Sequence, residues 1–75
     1  MNNFYGKLAQ KLEEDVVRRD DVLEDFEAWD SLTALSIVAM VDEEYGVTIH
    51  SGDLLQIETA GDLEDLVTAR CGANV

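Results

Sequence analysis

The sequence predicts an all-α fold, a four-helix bundle of three main helices and one short helix. Three observations carry that expectation. Apolar residues recur at helical spacing over most of the chain. There is no proline, and the one β-branched run, Val47-Thr48-Ile49, is too short for a convincing strand. The 75 residues must also fold without staples. Cys71 is the only cysteine and His50 the only histidine, so neither an intramolecular disulfide nor a Cys/His metal site is available. A domain of this size has little stability to spare and little room for a deep catalytic pocket. Residues 1–75 read as a single domain.

Phe4, Leu8 and Leu12 fall at i, i+4 and i+8, with Val16 continuing the stripe, which predicts a first helix from about Asn3 to Val17. Gly6 weakens its start by roughly 1 kcal/mol relative to alanine. Residues 18–29 lose the period, yet Val22, Leu23, Phe26 and Trp29 are too apolar for a free linker. They predict an ordered loop packed on the bundle, with Trp29 as a core anchor.

The second helix runs from about Ser31 to Tyr45, with Gly46 at its C′ stop. Ala34, Ile37, Val38, Val41 and Tyr45 form one apolar stripe, with Met40 at its edge. Leu32, Leu35 and Ala39 form a second, narrower one. The first faces the core and the second is left for a partner.

Ser51 reads as the N-cap of a short helical turn through Asp53, Leu54, Leu55 and Gln56. Thr59 and Asp62 resemble a capping box that opens a last helix carrying Leu63, Leu66 and Val67. Arg70 lies near its end, Gly72 stops it, and a frayed tail follows.

Charge is distributed unevenly. Lys7, Lys11, Arg18 and Arg19 lie in the first 19 residues, against three acids there. Residues 20–75 hold 14 acids and one base, Arg70, for a net −13. Such a field repels nucleic acid and anionic membranes and favours partners with basic patches. The opening Met1-Asn2-Asn3-Phe4-Tyr5 lacks the basic-then-apolar pattern of a signal peptide, and no apolar run is long enough to span a membrane. A soluble, cytoplasmic monomer with no stable membrane insertion is expected.

No catalytic constellation is visible. His50 has no serine or cysteine partner at an interpretable spacing, so it reads as a loop residue. Neither Asp20-Asp21 nor Asp42-Glu43-Glu44 continues into a calcium loop, and no metal site is expected. The chemistry concentrates instead at Asp30-Ser31-Leu32, where the second helix begins. A helix N-terminus presents unpaired N–H groups and the positive end of a dipole, so a phosphate there is stabilised. Asp30 supplies the N-cap, which leaves the Ser31 hydroxyl free to face solvent or an enzyme.

From Asp30 to Val67 the chain resembles the acyl carrier protein family. The D-S-L motif is followed by an apolar and acidic helix ending Val41-Asp42-Glu43-Glu44-Tyr45-Gly46-Val47, then Ile49, a short helical turn, and Thr59 opening the last helix. The resemblance implies the acyl-carrier-like bundle and a non-catalytic function. Ser31 would receive 4′-phosphopantetheine from CoA through a phosphopantetheinyl transferase, with Asp30 as the acidic neighbour that the transferase reads. The arm would hold acyl groups as thioesters and present them to acyl-loading and acyl-transfer enzymes with basic patches.

On the same resemblance, Leu32, Leu35, Ser36, Ala39, Asp42 and Glu43 would form the partner-recognition face. Ile37, Val38 and Val41 would line an acyl-chain cleft, or serve as ordinary core. Three departures point away from the general fatty-acid carrier. Ala28 stands where glycine is usual, Ser36 and Ala39 replace an acid and a methionine, and the loop before the motif is short. A dedicated carrier in a specialised lipid, polyketide or polysaccharide-modification pathway is expected. The alternatives are an aminoacyl or peptidyl carrier, and an unmodified helical interaction module that kept the fold.

Overall fold

Local chemistry sets where each helix begins and ends. The computed structural model describes residues 3–72. Helix α1 spans Phe4–Leu12, α2 Ser31–Tyr45, α3 Ser51–Leu54 and α4 Ala60–Gly72, with a 3-10 turn at Leu23–Asp25 between α1 and α2. Among the described residues extended pairing is limited to an isolated antiparallel bridge between Val22 and Thr59. The stop expected at Gly72 and the frayed tail fall at and beyond the edge of the described residues.

Helix α1 is shorter than its spacing suggests. Phe4, Leu8 and Leu12 are buried, but the helix ends at Leu12 rather than Val17. Glu13 turns left-handed at φ 58°, and its N–H bonds back to the carbonyls of Ala9 and Gln10. The cause lies in Glu13-Glu14-Asp15, which would set three carboxylates at the negative end of the helix dipole. Val16 is therefore 63% exposed, and Val17, off the stripe, takes the buried place.

The loop to α2 is ordered, as its apolar content requires. Leu23 is fully buried, and Phe26 and Trp29 are half-buried against the core. Val22 was expected to pack inward but stays exposed, engaged instead through its backbone to Thr59. Three backbone bonds tie this loop to the approach and start of α4. Leu23 N–H donates to Glu58 O at 2.8 Å, Ala60 N–H to Asp21 O at 2.9 Å, and Gly61 N–H to Arg19 O at 2.9 Å. Gly61 is required by that approach, because a Cβ there would lie 2.9 Å from the Arg19 carbonyl oxygen. The Arg19 guanidinium then reaches Glu64 at 2.9 Å and Asp65 at 2.7 Å. Tyr5 donates its hydroxyl to the same Glu64 oxygen at 2.8 Å.

Helix α2 keeps its expected bounds, and Gly46 closes it at φ 67°. Ile37 and Val41 are fully buried among Phe4, Leu8, Leu12, Leu63 and Val67. Val47 and Ile49 are buried in the extended segment that follows. The cap of α3 is His50, not Ser51. The Asp53 carboxylate accepts the His50 N–H at 2.9 Å, which moves the cap one residue back and makes Ser51 the first helical residue. The Thr59–Asp62 box at α4 forms. Asp62 N–H donates to Thr59 Oγ1 at 3.1 Å, while the Asp62 carboxylate accepts from Thr59 at 3.2 Å and Glu58 at 3.1 Å. Cys71 sits within α4, half-buried against the core.

These caps carry an acid-sensitive part of the stability. The Arg70 guanidinium, and next the His50 N–H, hold the Asp53 carboxyl down from 3.8 to about 2. The N–H groups of Thr59 and Glu58 hold Asp62 below its ordinary value. Both folded values lie below the unfolded ones, so this stabilisation is complete above about pH 4. It is lost as pH falls towards 2. Urea midpoints measured from pH 7 to pH 2 are expected to drop in that lower window, with a shallower drop in Asp53→Asn. An identical acid limb in the variant would remove Asp53 from the account.

Candidate functional site

The Asp30-Ser31-Leu32 junction has the geometry its sequence implies. Asp30 is extended, at φ −149° and ψ −175°, and its Oδ1 accepts the Thr33 N–H at 2.8 Å. Its carbonyl accepts the Ala34 N–H at 2.9 Å. The acid side chain is thereby committed to the helix, and Ser31 becomes the first residue of α2, exposed to solvent. The N–H groups of Ser31 and Leu32 belong to the first turn and have no intrahelical acceptor. A phosphodiester on Ser31 Oγ therefore fits the site, beside free donors and the positive end of a helix of 15 residues. No general base is hydrogen-bonded to Ser31 among the described residues, so nothing there prepares the hydroxyl as a nucleophile.

The second stripe of α2 faces out. Leu32 is 78% exposed and Leu35 60% exposed, with Ala39, Asp42 and Glu43 also exposed and Ser36 half-buried. Spacings of three and four residues put them on one face running down from Ser31. From Ser31 to Val41 the helix carries no charge, so this face is apolar near the serine and acidic only at its far end. The structure also brings Ser36, Ala39 and Glu43 together with Lys7 and Lys11 of α1, lining an open groove of about 330 Å³. Glu44 is drawn out of the free acidic set by an ion pair with Lys7.

The residues considered for a cleft lie in the interior. Ile37 and Val41 are fully buried and Val38 is half-buried against them. Two further features lie outside the sequence pattern. Arg70 forms a two-point pair with Asp53, and Leu55 is 87% exposed. The second was open to discovery, because Leu54 and Leu55 cannot both face inward from a single helical turn. Among the described residues no group of three or more His, Cys, Asp or Glu could hold a metal ion, and no helix is long and apolar enough to cross a membrane.

An ordered acidic loop, a capped helix with an outward serine at its first position, and a bundle closed by α4 define a carrier domain. Residues 5–67 match the family described as phosphopantetheine attachment site, and the chain belongs to that family. Its cofactor is covalently attached phosphopantetheine. No curated protein matches the sequence. The fold is similar to the solution structure of a holo acyl carrier protein from Geobacter metallireducens. The TM-score is 0.83 and the identity 25%, over 97% of this chain and 86% of that one.

The cap supplies a direct test. Asp30→Ala is expected to destabilise the protein by about 1 kcal/mol, read from urea midpoints, while Asp30→Asn retains most of the stability. Equal losses in both variants would show that the carboxylate does more than cap α2.

Proposed function

We propose that the arm is attached to Ser31 and that the protein carries acyl groups on it as thioesters. One observation supports this above the rest. In a chain of the phosphopantetheine attachment family, Ser31 is the exposed residue at the first position of α2, next to the cap Asp30. When bound, the group supplies a flexible thiol that forms thioesters. The chain itself anchors and orients that arm, and the reactions belong to visiting enzymes, so the protein is non-catalytic. A phosphopantetheinyl transferase loads the arm, and acyl-loading and acyl-transfer enzymes follow.

Intact-mass measurement of apo-protein incubated with a promiscuous transferase, CoA and Mg²⁺ tests the site. A gain of one phosphopantetheine unit is expected, and none in Ser31→Ala. No gain with several transferases would favour a helical interaction module that kept the fold.

Docking uses the outward face of α2. Its first three turns offer Leu32, Leu35 and Ala39, and its charge lies at Asp42 and Glu43. The uncharged run of α2 from Ser31 to Val41, with Ser36 and Ala39 in the middle of the face, favours dedicated enzymes of a specialised lipid, polyketide or polysaccharide-modification pathway. Replacing Asp42 and Glu43 by lysine is expected to weaken partner binding more at low salt than at high salt, since exposed charges are screened within ~10 Å at 0.1 M. Leu35→Ala is expected to weaken it equally at both. Binding assays at two ionic strengths check the pair, and a salt-independent loss from the charge reversal would remove electrostatic recognition from this end of the helix.

A further inference from the structure

Helices α1 and α2 run antiparallel and leave a trough between them. The start of α1 lies at the end of α2, where the rings of Phe4 and Tyr45 are 6.0 Å apart and Lys7 pairs with Glu44. Lys11 is one turn further along α1, which sets it beside Met40 and about one turn from Glu43. The open groove of about 330 Å³ occupies this trough. Gln10 and Lys11 stand on one wall and Ser36 and Glu43 on the other, with Ala39 and the nearly buried Met40 between them.

One end of the trough is neutralised and the other is not. Lys7 and Glu44 pair across the first end, and the Lys7 ammonium also lies 5.6 Å from the centroid of the Tyr45 ring. A turn away, Lys11 and Glu43 are exposed and line the same groove with opposite charges. Neither is in an ion pair among the described residues. Both are open to a charge supplied from outside.

This pattern selects among partners. A uniformly basic surface suits Asp42 and Glu43 but meets like charge at Lys11. A segment with one carboxylate and one base about a turn apart meets opposite charge at both, and a helix offers that spacing on one face. The shape agrees, because a trough between two helices accepts the ridge of a third. Ala39 and Met40 give it an apolar floor, with the flexible Met40 side chain able to adapt to what rests on it.

The position of the groove around α2 decides what it leaves uncovered. At about 100° per residue, Met40 lies on the opposite side of α2 from Ser31, with Leu32, Leu35 and Ala39 between them. It is also about 13 Å further along the axis. The groove is therefore continuous with the outward face through Ala39 and Glu43, yet faces away from Ser31.

We propose that the α1–α2 groove is a second docking surface, taking a partner helix that sets a carboxylate against Lys11 and a base against Glu43 and leaves Ser31 open. The open-serine half rests on the carrier reading above. The groove and its charge pattern do not.

Two helical peptides of about four turns serve as probes. Both turn leucine towards the floor; one carries glutamate and arginine a turn apart, and the other glutamine at both places. Neither has a net charge from these positions, so the difference between them reports the local pattern and not the overall acidity of the protein. In the isotope-labelled apo-protein, the charged peptide is expected to move the amide resonances of Lys11, Ser36, Ala39 and Glu43 most, and to bind about fivefold more tightly than the glutamine peptide. Lys11→Glu and Glu43→Lys are each expected to remove that advantage, and the double reversal to restore it. Equal binding of the two peptides, no binding of either at millimolar concentration, resonance changes centred elsewhere, or a double reversal as weak as the singles would overturn the docking surface.

Transferase loading of Ser31, followed by intact mass, is expected to keep its rate with the charged peptide at saturation. Loading that slows in proportion to occupancy would overturn the open-serine half. A chain that takes no arm with or without peptide fails the carrier reading and leaves the titration standing, so the two failures are distinct.

Discussion

Helix α2 is apolar on two faces, and a bundle this small can bury only one of them. Ile37 and Val41 take the interior, where Phe4, Leu8, Leu12, Leu23, Leu63 and Val67 already fill the available space. Leu32 and Leu35 are left in water. Each large apolar side chain kept exposed forgoes roughly 1.5–3 kcal/mol of burial. A domain with little stability to spare retains such residues at a cost, which fits a face that a partner covers. Asp30 fixes the start of α2, Gly46 its end, and the ordered loop delivers the chain to Asp30 from the correct side.

The bases do a second kind of work. Of the five, Lys7, Arg19 and Arg70 are in ion pairs, each linking segments distant in sequence. Pairs as exposed as these contribute little to stability on their own. Their effect is geometric. Arg19 pins the loop to α4 where Gly61 permits close approach, and Arg70 pins α3. Each pair also occupies an acid, so the net charge of −12 is unchanged by the pairing, and the acidic surface is broken by the uncharged stretch of α2 after Ser31.

The legible parts of the sequence were those governed by local chemistry. Helix α2 was recoverable to both ends because a cap, a periodic stripe and a left-handed glycine all lie within its own span. The Thr59–Asp62 box marked α4 for the same reason. Helix α1 was overextended because Val16 satisfies the period, while the competing effect, three carboxylates at a helix C-terminus, leaves no trace in apolar spacing. Ser51 is a good cap by residue type, but the deciding bond, accepted by the Asp53 carboxylate from the His50 N–H, places the cap one residue earlier. At the candidate site, the outward direction of Leu32 and Leu35 followed from the two stripes. The convergence of Ser36, Ala39 and Glu43 with Lys7 and Lys11 did not, because it depends on how α1 lies across α2. The Arg70–Asp53–Thr48 cluster was invisible for a similar reason, since it joins three segments whose meeting is set by tertiary packing.

On the proposed attachment, the position of Ser31 follows from what a tether requires. An anchor for a mobile arm must itself be held in place, and Ser31 directly follows a capping residue whose side chain bonds to the Thr33 N–H. It must also accept a phosphodiester beside an existing carboxylate. Asp30 meets that conflict by directing its Oδ1 to the Thr33 N–H, leaving the donors of Ser31 and Leu32 free for the new anion. A serine in the middle of α2, as Ser36 is, lies half-buried and meets no free N–H and no dipole end. Moving it to the C-terminal end, among Asp42, Glu43 and Glu44, would set the phosphate against like charge. The N-terminal position combines a capped backbone, exposure and a favourable field, and on the proposed reading it sets the arm at one end of the face offered to partners.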